Sequence, residues 1–149
     1  MLDIFGDLRE WGQVLRQIEQ LRLTGHLDEH QEGLTRVLRY RYNWQLREAA
    51  LRAVPNLRKP SKDLVQVLLG IVTDECCDLE TRLLACDAVR KSLRKHCDQE
   101  VAGGFESLVF QRADEILRVP QQPVLREAIE QWHFLQREPV EQTSGARSF

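Results

Sequence analysis

The sequence predicts an all-α protein built from stacked helix pairs, and three observations carry that prediction. Leu, Arg, Glu, Gln and Ala dominate the 149 residues and lose little rotamer freedom in a helix, while only eight glycines and five prolines interrupt them. Apolar residues recur at steps of three and four, the period of a helix face. Two stretches of chain also repeat each other at an offset of 35 positions, and self-similarity of this kind marks repeat architectures.

Each helix follows from its own stripe and punctuation. Leu8, Trp11, Leu15 and Ile18 form a stripe on a first helix that ends near Gly25. A second is expected from about Asp28 to Tyr40, with Leu34, Val37 and Leu38 facing inward. The Tyr42-Asn43 break introduces a third, Trp44 to Leu57. Lys59-Pro60-Ser61 closes one unit and opens the next, with Ser61 as N-cap of a fourth helix that runs to Thr73 through Leu64, Val65, Leu68, Leu69 and Val72. The fifth is capped by Asp78 and reaches about Lys95, after which Gly103-Gly104 interrupts the chain. The sixth carries Leu108, Val109, Ala113, Ile116 and Leu117 up to Pro120. The seventh spans about Pro123 to Arg137 and stops at Pro139. Residues 138–149 lack periodicity and read as a flexible C-terminal tail, which leaves 1–137 as one domain. Seven helices on short connections favour antiparallel neighbours.

The repeat sets the architecture. Arg47, Ala50, Ala53 and Val54 fall on Arg82, Ala85, Ala88 and Val89, each 35 positions on. Leu34 meets Leu69, Val37 meets Val72, and the caps Asn43 and Asp78 correspond. A third copy begins at Leu125-Arg126-Glu127-Ala128, 44 positions beyond its counterpart around Arg82, with the extra residues falling around Cys97 to Gly104. Leu8-Arg9-Glu10 is a fainter first echo. Small residues three apart on one face let a neighbouring helix approach closely, with Leu and Val filling the flanks. One such pair cannot bury its apolar face alone, so units stack into a solenoid with a continuous core.

The run from Asn43 to Val54, Asn-Trp-Gln-Leu-Arg-Glu-Ala-Ala-Leu-Arg-Ala-Val, resembles the second helix of a HEAT repeat, and so does Asp78 to Val89. Both show a polar cap, an Arg, then small residues and a terminal apolar one. Thr81 departs by replacing an apolar residue, Ile129 and Trp132 replace the small ones in the third copy, and a 35-residue period is short for the family. The resemblance covers about residues 28 to 137. It implies an armadillo-type, right-handed α-α superhelix of about three HEAT-like pairs plus an N-terminal helix, with the second helices lining the concave face. It also implies that the repeated Arg bridges to the cap Asp of the next repeat, here Arg47 to Asp78. The tetratricopeptide frame is absent.

Composition narrows the function. Twenty-one basic residues against 23 acidic ones give a net charge of -2, whereas affinity for a phosphate backbone is carried by a basic excess. A nucleic-acid partner is therefore not expected, although a local patch could survive the overall balance. Met1 to Glu10 carries Asp3, Asp7 and Glu10 and reads as no secretory signal. No apolar run approaches the roughly 20 residues of a membrane span. Cys76, Cys77, Cys86 and Cys97 cluster instead of spanning the chain as a disulfide framework would, so a cytoplasmic setting is expected.

Chemistry finds little support. Cys76, Cys77, Cys86, His96 and Cys97 suggest zinc, but the pairs are adjacent rather than spaced by two to four residues, and buried thiols are the simpler reading. His26 and His30 stand at i, i+4 without an acidic third ligand, and His133 has no evident nucleophile. Neither a phosphate loop nor a dinucleotide fingerprint occurs. No catalytic residue, metal or cofactor is assigned. The arginine ladder Arg47, Arg82 and Arg126 is read as structural, and the basic run Arg90 to His96 as complementing a helix dipole. Trp11, Trp44 and Trp132 are placed in the core by default; an exposed one would be an interface anchor.

The expected function is a protein-interaction module, an adaptor, scaffold or regulatory subunit. Its docking surface comprises Glu48, Arg52, Asp87, Arg90, Lys91, Arg94, Glu127, Glu130 and Gln131, directed away from the core on the second helices. Their mixed charge suits a protein or peptide better than a duplex. Two further readings come from fold analogy alone: a DNA-binding protein or base-excision glycosylase, and a chaperone resembling phycobilin lyases.

Overall fold

A computed structural model describes the backbone of residues 4–99 and 104–147, and the side chains of residues 4–95 and 105–135. Among the described residues the chain is all-helical, with α1 Trp11–Thr24, α2 Gln31–Arg39, α3 Trp44–Ala53, α4 Lys62–Thr73, α5 Leu79–Gln99, α6 Gly104–Leu117 and α7 Pro123–Arg147. Short 3-10 turns at Leu27–His30 and Val54–Asn56 extend the start of α2 and the end of α3. The helices form two layers. Helices α1, α3, α5 and α7 touch in succession in one layer and α2, α4 and α6 in the other, with α2 packed on α3, α4 on α5 and α6 on α7.

Local chemistry starts and stops these helices. Gly25 adopts φ +77°, a left-handed conformation that costs a side chain dearly, and the His26 N–H then returns to the Leu21 carbonyl at 3.0 Å. Asn43 accepts the Gln45 N–H at 2.8 Å, Ser61 the Leu64 N–H at 3.2 Å, and Asp78 the Thr81 N–H at 2.7 Å. Pro55 has no N–H to donate and ends α3 as an α-helix. At the corresponding position of α5 stands Arg90, and that helix continues to Gln99. The carbonyls left at the end of α3 are met by Lys95, whose Nζ lies 3.5 Å from Pro55 O and 3.3 Å from Leu57 O. Helix α7 is longer than the Pro139 stop predicts, running to Arg147.

The repeat is physical as well as textual. Ala50, Ala53 and Val54 are buried, as are Ala85, Ala88 and Val89, and so are Leu34, Leu69, Val37 and Val72. Helices α3 and α5 lie side by side. Arg47 and Arg82 perform the same task, but not the expected one. Arg47 does not bridge to Asp78: its Nε donates to Leu38 O at 3.0 Å and its Nη1 to Cys77 Sγ at 3.3 Å. Arg82, buried, donates from Nε to Val72 O at 2.8 Å. Each arginine thus caps the last turn of the preceding helix, whose final carbonyls have no intrahelical partner. In the third unit Arg126 turns outward toward Glu130, 3.7 Å away, and the Gln121 amide caps Ile116 O at 3.1 Å instead.

Two expectations about the core are corrected. Helix α1 buries Val14, Ile18 and Leu21, whereas Trp11, its first residue, is 47% exposed. Trp44 is 68% exposed, and only Trp132 of the three tryptophans is buried. Its indole N–H donates to Cys86 O at 3.2 Å and fixes α7 against the middle of α5. Ile129 and Trp132 occupy the small-residue positions of the third copy and are both fully buried. Large side chains therefore fill the seam between α5 and α7 that alanines keep narrow between α3 and α5.

Candidate functional site

A groove of about 510 Å³ opens on the α1, α3, α5 layer. Its floor combines Leu15 and Ile18 of α1, Ala49 and Ala53 of α3, and Leu84 and Ala88 of α5. Alanines create the recess, because a methyl group leaves space that a longer side chain would fill. The groove continues along the seam between α3 and α5, past Leu51, Arg52, Leu84 and Asp87, to a second recess of about 450 Å³ that ends at Trp44.

The rim is charged, and its ion pairs close within single helices. Glu19 pairs with Arg22, Glu48 with Arg52 at 2.9 Å, and Asp87 with both Arg90 at 2.9 Å and Lys91 at 3.1 Å. Burial alone would push the Asp87 carboxyl up; the hydrogen bonds from Arg90 and Lys91 overcome it and hold the group below the usual carboxylate range. Exposed pairs of this kind add little stability, but they leave most of the charges around the first recess paired, while Asp78 and Glu80 add acidic groups at the second.

This geometry brings together Glu48, Arg52, Asp87 and Lys91 from the predicted surface, with Arg90 joined through Asp87. Arg94, Glu127, Glu130 and Gln131 are exposed but line neither recess. The prediction missed the contribution of α1, namely Leu15, Ile18, Glu19 and Arg22. A signal for it existed in the Glu19–Arg22 spacing of i, i+3, but α1 has no partner copy strong enough to mark it as part of the same layer.

The remaining chemical residues have separate lives. Cys86 is buried, and burial pushes its thiol up to about 12. Cys77 donates to Asp74 Oδ2 at 3.4 Å; burial, then that hydrogen bond, raises its pKa. Cys76 is exposed. The side chains of His96 and Cys97 lie outside the described residues. Among those described, no three His, Cys, Asp or Glu side chains converge as metal ligands, and no helix is long and apolar enough to cross a membrane. His133 faces Asp114 at 3.4 Å and stacks on Phe110, while His26 faces Glu29 at 3.3 Å. The chain matches no protein-family model, no curated protein and no solved structure.

Proposed function

We propose that the chain is a HEAT-like, right-handed α-α solenoid that acts as a protein-interaction module without chemistry of its own. The groove along α1, α3 and α5 lies on its concave face and takes a short partner segment offering apolar side chains and little net charge. One observation carries this reading: a floor of alanine and leucine side chains is rimmed by charges already neutralised within their own helices. An apolar segment gains area removed from water on such a floor, at about 25 cal/mol per Å². A strongly charged ligand would have to compete with those intrahelical pairs. The same pairing counts against a duplex, which needs several unpaired cations, and hence against the glycosylase reading. The phycobilin-chaperone reading has no observation in its favour.

Affinity capture from the native host with two chains tests the proposal. Ala49→Trp places a large ring on the groove floor at a half-exposed position. A partner retained by the unaltered chain and lost with Ala49→Trp, in a variant of unchanged circular dichroism, supports the groove. Equal recovery of every bound protein by both chains overturns it. Charge reversal at Arg90, Lys91 and Arg94 together is expected to weaken the same capture by unbalancing the rim around Asp87.

A further inference from the structure

The connection between α2 and α3 reads Arg39-Tyr40-Arg41-Tyr42-Asn43-Trp44, an alternation of cations and rings. The core absorbs little of it. Tyr42 is 89% exposed and Trp44 68%, and Arg39 and Arg41 are exposed. Large aromatics lose favourable burial when left in water, so two on one short connection call for a ligand that covers them. Tyr40 sits where two recesses meet. One, of about 700 Å³, is lined by Arg36, Arg39 and Tyr42; the other, of about 210 Å³, by Arg41, Arg47 and Trp44. The Tyr40 and Tyr42 rings meet edge to face with centroids 5.4 Å apart, and Tyr42 remains exposed.

Charge along this edge departs from that of the whole chain. Five arginines line the two recesses against three aspartates, Asp7, Asp74 and Asp78, whereas the full sequence is net acidic. Asp7 is engaged by Arg9 at 3.0 Å, and Asp78 is occupied in capping α5. Arg41 reaches Asp74 only at 3.4 Å, and no ion pair involves Arg39 among the described residues. Arg39 is therefore open beside two open rings, and Arg41, paired with Asp74 but 68% exposed, keeps a guanidinium face to solvent.

We propose that the α2–α3 edge binds single-stranded nucleic acid, with bases stacking on Tyr42 and Trp44 and phosphates meeting Arg39 and Arg41. Rings and cations spaced one residue apart match a strand that alternates a flat base with an anionic phosphate. Stacking on aromatic rings beside a cationic track is how single strands are held without sequence readout. A duplex keeps its bases paired and would leave both rings unused. A proline-rich segment could use the rings but has no role for the arginines. The site adjoins the far mouth of the groove at Trp44, and neither reading depends on the other.

Fluorescence anisotropy of a labelled oligouridine and a labelled oligodeoxythymidine, each roughly 15 nucleotides long to exceed a single-strand site, tests the proposal on the full chain. Saturable binding is expected. With two phosphates neutralised, raising salt from about 50 to about 200 mM should weaken it about sevenfold. Tyr42→Ala, a change at a solvated side chain that leaves circular dichroism intact, should weaken it about tenfold or more. Arg39→Gln with Arg41→Gln should flatten the salt response, and Ala49→Trp should leave binding unchanged. Failure of both oligonucleotides to bind overturns the proposal. So does binding indifferent to Tyr42→Ala, or tighter binding of a labelled oligoproline at the same edge.

Discussion

Arg82 directs a charged guanidinium into a nearly closed environment, where its partner is the Val72 carbonyl. Replacement by methionine keeps the aliphatic stem and leaves that carbonyl without its donor. The expected loss is about 2 kcal/mol, within the range for hydrogen bonds to charged groups, against less than about 0.5 kcal/mol for Arg126→Met on the solvent side. Urea denaturation of the two variants checks the contrast, and equal losses would refute the capping role. Asp78 works at the other end of the same logic. Its carboxyl is held below the usual range by hydrogen bonds from Thr81, with Arg47 nearby. A depressed folded pKa contributes stability that is fully present above the unfolded value of about 3.9 and is lost as pH falls through the folded one. Asp78→Ala should therefore cost about 1 kcal/mol at neutral pH. Asp78→Asn should retain most of the cap while making stability less dependent on pH below about 4. Acid titrations of stability that superimpose for Asp78→Asn and the unaltered chain would contradict this.

At the scale of elements, the two seams of the α1, α3, α5, α7 layer are built differently. Between α3 and α5 the contact positions are alanines, and the recess above them becomes a groove. Between α5 and α7 the buried Trp132 fills the seam and donates to Cys86 O. Trp132→Ala should remove about 3–5 kcal/mol, and Trp132→Phe less, since it loses the hydrogen bond but keeps most of the volume. Thermal denaturation measures both. Cys86 reports the same seam from inside. With its thiol pushed up to about 12 and enclosed, it should resist a disulfide reagent at pH 8 that labels the exposed Cys76 at once. Trp132→Ala should expose it, as peptide mapping would read. The clamp at the start of α2 shows how an element can be reused in sequence but not in structure. Asp28 accepts the Arg58 and Lys59 N–H groups, and Gln31 bridges Lys59 O and the Ser61 N–H. Asp63 and Gln66 stand 35 positions on. Both are exposed, because α5 has no proline at its corresponding point and offers no turn to clamp.

At the scale of the molecule, two surfaces with different physics emerge from one stack. The groove is apolar with ion-paired charges on its rim, and the α2–α3 edge is aromatic and rich in arginine. Trp44 touches both, at the far mouth of the groove and beside Arg41. Tyr42→Ala and Ala49→Trp separate them. The first should weaken oligonucleotide binding about tenfold or more and spare partner capture, and the second should abolish capture and spare oligonucleotide binding, in parallel anisotropy and capture experiments. A single variant that abolishes both without unfolding would mean one continuous site.

Helix number, the paired caps at Asn43, Ser61 and Asp78, and the 35-residue correspondence were legible in the sequence, because periodicity and capping are local. A stripe at steps of three and four needs only neighbours within two turns. Which stripe faces inward is not local. In helix α1, Trp11 shares the inward face with Val14 and Ile18, but packing against the neighbouring helix covers those two and leaves Trp11, at the helix end, 47% exposed. The destination of the arginines was likewise decided in three dimensions: the nearest unsatisfied acceptors were helix-end carbonyls, not the cap carboxylate. The groove needed α1, which the sequence linked to α3 and α5 only through the faint Leu8-Arg9-Glu10 echo. Spacing along the chain determines which residues share a face; only the closing of one helix on another determines which face is covered and which is left to bind.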